Sequence, residues 1–303
     1  MIFIVVALLA TTQTFSQCAC CAAAGAGSSN GDYSNGVLTL QKNLLVVEAY
    51  GDYRTIHASN APVMDEQLLK SMFISSVGLR YGITNNITIS ALVPYVFLHT
   101  NTGDDNGISD LFLMGMFNVY SKNNFNFALQ AGVKLPTGIQ KSSNFDNSTV
   151  IIGSGSYDPL FGAMVAKRWN KITLLANGFF KYTTQGFHNN YYGKLTSHNL
   201  SLSYKIKSPT GVCALDSLNK NTVSNIGWSV TVGYCGEWID KTIEDDVVDP
   251  NSGGYSGFAT LGTNFSFKKW SFPLTVSLPV VSKLNGIQND AGYRIRLGII
   301  KSF

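Results

Sequence analysis

The sequence predicts an all-β protein: a closed antiparallel transmembrane β-barrel of about twelve strands, with long extracellular loops and mostly short periplasmic turns. Three observations carry this. Charged residues are 13% of the 303-residue chain, about half of the roughly 25% usual for soluble globular domains. The longest uncharged apolar run, Met1 to Ala10, falls well short of the ~18–20 residues that a membrane-spanning helix needs. From Lys42 onward apolar residues alternate with small or polar ones, a period of two that belongs to strands. A mean hydropathy of +0.09 with 12% aromatic residues excludes both a helical membrane protein and a disordered chain.

The N-terminus sets the compartment. Met1 to Ala10 is an apolar core followed by small polar residues to Ser16, which reads as a secretory signal over residues 1–16. It departs from the usual signal in having no Lys or Arg before the apolar core. Residues 17–41 then form a Cys-containing periplasmic segment, and 42–303 the barrel. Cys18, Cys20 and Cys21 put three thiols within four residues, a set that can hold a soft metal such as Cu(I) or Zn(II). No His stands beside them, and a structural zinc site takes a fourth ligand. Disulfide pairing in an oxidising compartment is the alternative. Lipid attachment needs a small residue before Cys18, where Gln17 stands. No other cofactor is expected.

The strands follow in order. Phe73, Ser75, Val77, Leu79 and Tyr81 face one way; Met72, Ile74, Ser76, Gly78 and Arg80 face the other. Ile87, Ile89, Ala91, Val93, Tyr95 and Phe97 oppose Thr88, Ser90, Leu92 and Pro94. Phe125, Phe127, Leu129, Ala131, Val133 and Leu135 oppose Asn126, Ala128, Gln130, Gly132 and Lys134. Trp228, Val230, Val232, Tyr234 and Trp238 oppose Ser229, Thr231, Gly233, Cys235 and Glu237. Strands are expected near 42–56, 71–83, 86–98, 108–122, 125–136, 157–168, 171–184, 194–206, 223–241, 256–267, 270–281 and 290–303.

Tight turns are expected at Thr84-Asn85, Asn123-Asn124, Trp169-Asn170 and Lys268-Lys269. Longer polar stretches fall at 57–70, 99–107, 137–156, 185–193, 242–255 and 282–289, and a long link, 207–222, stands where a tight turn is due. Closure follows from the solvent. In lipid every backbone polar group must be paired, and an open sheet leaves two bare edges. A soluble β-sandwich would bury its apolar face and expose the other. Here a core of Asn126, Gln130, Lys134, Asn177 and Lys181 would leave polar groups unsatisfied, whereas a wet lumen accepts them.

Near the C-terminus Tyr293, Ile295, Leu297 and Ile299 alternate up to the terminal Phe303. That spacing resembles the last-strand signal of outer-membrane barrels, which implies the barrel-assembly machinery as a partner. Lys301 departs from the pattern, and at the periplasmic rim its ammonium can snorkel to the interface.

Several charges take the inward register: Arg80, Asp110, Lys134, Asp158, Lys181, Glu237, Arg294 and Arg296. They can brace the wall, with Asp110 and Asp158 paired to Lys134, Arg294 or Arg296, or they can select a solute. Basic residues outnumber acidic ones five to three in this set, a weak lean to anions. A net charge of +4 is too small to imply nucleic-acid binding. Phe112, Met114, Met116 and Tyr120 are expected inward beside Asp110, with Leu92, Val96, Leu175 and Phe179. Such side chains can either bind an amphiphilic solute or simply fill a narrow barrel. An enzyme is not expected. The one strand His is His198, and Ser201 is three residues on, hence on the opposite face.

Four stretches carry a family resemblance: Gly107-Ile-Ser-Asp-Leu-Phe-Leu113, Leu129-Gln-Ala-Gly-Val-Lys-Leu-Pro-Thr-Gly138, Gly153-Ser-Gly-Ser-Tyr-Asp-Pro-Leu-Phe-Gly162 and Leu278-Pro-Val-Val-Ser-Lys-Leu-Asn-Gly-Ile-Gln288. Over roughly residues 70–303 the chain resembles the outer-membrane barrel family of transporters labelled with the MetA pathway of phenol degradation. The resemblance implies the outer membrane, with its lipid bilayer, and transport of small aromatic compounds; it implies no catalytic residue. The expected role is passive passage or binding of a small aromatic or amphiphilic solute. Two alternatives stand: a metal-linked barrel using the Cys18, Cys20 and Cys21 cluster, and a phospholipase-type hydrolase.

Overall fold

The computed structural model describes residues 38–57, 69–100, 103–142, 149–207 and 226–303. The signal over 1–16, the cysteine cluster and the link over 207–222 beyond Lys207 lie outside the described residues. The strands are β1 (Leu45–His57), β2 (Leu69–Thr84), β3 (Ile87–Thr100), β4 (Asp104–Ile108), β5 (Leu111–Lys122), β6 (Phe125–Leu135), β7 (Gln140–Ser142), β8 (Thr149–Ile151), β9 (Asp158–Trp169), β10 (Ile172–Lys181), β11 (Leu195–Lys207), β12 (Ile226–Ile239), β13 (Ile243–Glu244), β14 (Val247–Val248), β15 (Gly254–Phe267), β16 (Trp270–Leu284) and β17 (Asp290–Ser302).

One antiparallel sheet runs β2-β1-β17-β16-β15-β12-β11-β10-β9-β6-β5-β3-β4, and β2 also pairs with β3, which closes the ring. β4 and β5 both pair with β3, β4 toward the loop end and β5 toward the turn end, so they are two pieces of one wall strand and the barrel has twelve. The expected fourth strand, 108–122, is therefore interrupted at Ser109 and Asp110 and resumes earlier, at Asp104, within the stretch expected as loop. Small ribbons β7–β8 and β13–β14 stand in the long loops.

Alternation of burial follows the sequence pattern. Along β2, Met72, Ile74, Ser76, Gly78 and Arg80 are buried while Phe73, Val77, Leu79 and Tyr81 are exposed. The exposed apolar face is the lipid face of an outer-membrane barrel. The tight turns put Asn123, Asn124, Asn170 and Lys268 at positive φ. Asn tolerates that region best after Gly, and two such residues in succession give the type I′ turn that matches strand twist.

Bulges revise one expectation. The β5–β6 register shifts between Asn118 and Tyr120, and Tyr120 pairs with Phe127. Tyr120 is thus turned out, 49% exposed, with its ring edge-on to Phe125, and does not line the lumen. At the closing strand Lys301 reaches over the Trp270 and Phe303 rings at 4.8 and 4.7 Å. The aliphatic stem and the cation both find partners at the periplasmic rim.

Candidate functional site: the lumen and its open side

The lumen has two unlike sides. Inward residues from β2 to β10 include apolar side chains packed into clusters, set among buried polar ones such as Asn126, Gln130 and Asn177. Leu92, Phe112, Leu160, Phe179 and Leu195 form one cluster, and Met72, Ile74, Val96 and Leu98 another, joined by Ile152 from the loop after β6. Lower down, Met116, Ala128, Met164, Ala166 and Leu175 close on Leu38. Leu38 and Leu40 are almost fully buried. They are tethered because the Thr39 hydroxyl donates to the Asn85 carbonyl and the Leu40 N–H donates to the Thr88 hydroxyl, both at 2.8 Å. The chain before β1 thus turns into the periplasmic mouth.

Inward residues of β12, β15 and β16 are different: Thr231, Gly233, Thr260, Gly262, Asn264, Thr275 and Ser277 are small, uncharged and only half-buried. This strip is the part of the wall still facing open lumen.

Near the extracellular end, Lys134 of β6 is 1% exposed. Its Nζ lies 2.6 Å from Asp158 Oδ2 and 3.2 Å from Asp110 Oδ2. It also donates to the Ser154 and Ser156 hydroxyls. Asp110 accepts from the Gly138 N–H at 3.0 Å and the Ser154 N–H at 2.8 Å. Asp158 accepts from the Thr184 N–H at 2.9 Å. The loop between β6 and β9 is tied inward by these bonds. A Cβ at Gly138 would meet the Gly153 backbone at 2.4 Å, so the two loop arms touch only because both are glycine. The Lys-Leu-Pro-Thr-Gly and Gly-Ser-Gly-Ser-Tyr-Asp stretches are the two halves of this brace.

A second ionic group lies on β1, β2, β12 and β17. Arg80 Nε is 3.1 Å from Glu48. Asp52 meets Arg54 at 3.0 Å and Arg296 at 2.6 Å. Arg294 grips Glu237 with both nitrogens, 2.8 and 3.0 Å. Thus Arg294 and Arg296 do not pair with Asp110 or Asp158: they lie across the lumen on β17 and find carboxylates of their own. Lys181 is buried on β10, paired with Leu160 two residues from Asp158. Glu48, Asp52 and Arg54 are absent from the sequence-predicted set. The signal was present, charge at three of the five alternate positions Val46, Glu48, Tyr50, Asp52 and Arg54. Adding Glu48, Asp52 and Arg54 brings the set to six basic against five acidic, which halves the basic excess.

Among the described residues the wall has a seam between β16 and β17, whose ladder also skips Phe272 and Pro273. The β16–β17 ladder runs from Trp270↔Lys301 to Ser277↔Arg294. β16 continues to Leu284, bonded to β15 as far as Gly254↔Leu284, and β17 begins at Asp290, bonded to β1. Among the described residues, 278–284 and 290–293 therefore face each other without ladder pairs. Pro279 has no N–H to offer and sits at the bulge where Gly257 and Phe258 oppose Val281 and Pro279, which is where a strand tolerates proline. A side-chain bridge crosses above, the Ser282 hydroxyl donating to Asp290 at 2.6 Å. The seam lies in the extracellular half of the wall.

His198 faces outward and Ser201 inward; His198 Nε2 is 3.2 Å from the Tyr255 hydroxyl, which is 2.6 Å from that of Tyr234. No Ser–His pair is assembled there. In the loops, burial and then the nearby Glu244 push the Tyr192 hydroxyl up to about 12, and burial with Asp249 and Asp245 raises the Glu244 carboxyl.

The chain is similar to several solved structures, with a shared architecture in the first. The COG4313 outer membrane channel from Pseudomonas putida F1 matches with a TM-score of 0.64 at 16% identity, covering 90% of this chain and 98% of that one. The autotransporter NalP translocator domain from Neisseria meningitidis gives 0.48 at 10% identity, covering 96% and 100%. The P. putida toluene transporter TodX gives 0.41 at 10%, covering 91% and 93%. At these identities the likeness is one of fold. No curated protein matches the chain. A family model described as "Putative MetA-pathway of phenol degradation" matches residues 50–269; the chain, an outer-membrane β-barrel, belongs to that family.

Proposed function

We propose that this barrel passes a small, uncharged or amphiphilic aromatic solute passively, along the open strip of β12, β15 and β16 and sideways through the β16–β17 seam. The observation that carries the reading is the seam beside that strip. A lumen lined by Thr, Gly and Ser, with exposed Leu278 and Val280 at its lateral edge, suits a solute that is partly apolar and partly wet. The apolar side serves as packing, since its side chains are buried against each other. Membership of a family described by phenol degradation supports an aromatic solute. The barrel is read as non-catalytic, because His198 and Ser201 lie on opposite faces.

Uptake of phenol into proteoliposomes tests it. The protein should raise uptake above that of empty liposomes, and more for phenol than for glucose. Equal entry of both, or none, would overturn the reading.

A further inference from the structure

The seam has an inner sill. Arg294 is the last β17 residue paired to β16, and its side chain spans β16 and β15 to reach Glu237 on β12. On the way the guanidinium lies 3.8 Å from the centroid of the Phe258 ring. Phe258 is fully buried and is paired with both Cys235 and Pro279, so its ring is held in place. The Arg294 and Glu237 side chains are 16% and 12% exposed, within reach of lumen water. A planar fork with two parallel N–H donors, seated against an aromatic face, is what recognises a carboxylate attached to a flat ring. Glu237 occupies that fork as an internal carboxylate.

We propose that Arg294, Phe258 and Glu237 form an exchange site for a small aromatic carboxylate at the lumenal edge of the seam. The incoming carboxylate accepts the two Arg294 N–H bonds, and Glu237 is released, still charged, to lumen water. The solute ring follows its carboxylate into the space that Glu237 leaves, while the buried Phe258 ring backs the guanidinium. No covalent bond changes. The site rests on the passage reading above and names the solute class within it: an aromatic ring bearing an anion, held where the wall opens. The rest of the open strip offers neutral Thr, Gly and Ser, so Arg294 is its point of charge recognition.

Calorimetric titration of the purified full-length barrel with benzoate, cyclohexanecarboxylate and acetate tests the site, with folding checked by gel migration without heating. Wild type should bind benzoate in preference to the other two. Glu237→Gln removes the competing charge and should tighten benzoate about tenfold, the worth of one charge-assisted hydrogen bond. Arg294→Gln should abolish benzoate binding while remaining folded, and Phe258→Leu, which removes the backing of the guanidinium, should weaken benzoate severalfold. Benzoate affinity unchanged in Arg294→Gln or Glu237→Gln, or acetate bound as tightly as benzoate, would overturn it. Phenol uptake by wild type separates the two readings. Benzoate binding without phenol entry removes the passage and keeps the site; phenol entry without benzoate binding removes the site and keeps the passage.

Discussion

The two sides of this lumen are made from the same alternation and end in opposite states. From β2 to β10 the inward positions carry Leu, Met, Phe and Ile between buried polar residues such as Gln130 and Asn177, and they bury one another. From β12 to β16, apart from Phe258, Glu237 and Asn264, they are mostly Gly, Ser and Thr, and they leave space. Charge divides in the same way. Lys134, Asp110 and Asp158 are fully buried and pin a loop to the packed side. Arg294 and Glu237 stay within reach of water on the open side. The difference teaches that a barrel of one strand number can hold both a core and a channel, the split being set by side-chain volume at alternate positions.

Breaking the packed side should have the largest effect. Lys134→Met leaves Asp110 and Asp158 buried without a cation, a loss of about 3–5 kcal/mol, read as a lower urea midpoint in lipid. Leu160→Ala, fully buried, should cost about 2–5 kcal/mol by leaving a cavity. Ser277→Ala on the open side should stay within about 0.5 kcal/mol; equal losses at Leu160 and Ser277 would erase the contrast.

Filling the open side should alter passage and spare stability. A Cβ at Gly262 would meet the Thr275 hydroxyl at 3.2 Å, a contact a small shift relieves. Gly262→Phe should therefore narrow the strip and cut phenol uptake severalfold in a barrel of unchanged urea midpoint. The smallest effect is in the loops. Because the folded Glu244 carboxyl is raised, its contribution is fully present below its unfolded value and is lost as pH rises through the folded one. The protection of the Ile243 amide, bonded to Tyr191, relative to a free amide at the same pH should fall from pH 4 to pH 7, and Glu244→Gln should flatten that fall.

The wall was legible in the sequence because period-two alternation is enforced twice, by lipid outside and by water or packing inside. Phe73 and Met72 could be assigned to faces without coordinates. Tyr120 could not, since a bulge adds one residue and reverses the face, and nothing in Asn118-Val119-Tyr120 marks it. Lys134 with Asp110 and Asp158 was foreseeable from register on neighbouring strands. The pairing of Arg294 with Glu237 depends on curvature, which carries a side chain over two intervening strands. Equally, the seam is a property of strand pairing that Pro279 hints at without locating its lower end at Ser277.

Closing the seam tests the lateral route most directly. If the ladder continued past Ser277↔Arg294, Leu278 and Tyr293 would be the next pair. Both are replaced by Cys in a chain whose five native cysteines are Ser, and a short bis-maleimide joins them. Bridging should abolish phenol uptake into proteoliposomes while small-ion conductance persists; phenol uptake that continues at the unbridged rate would contradict a lateral route.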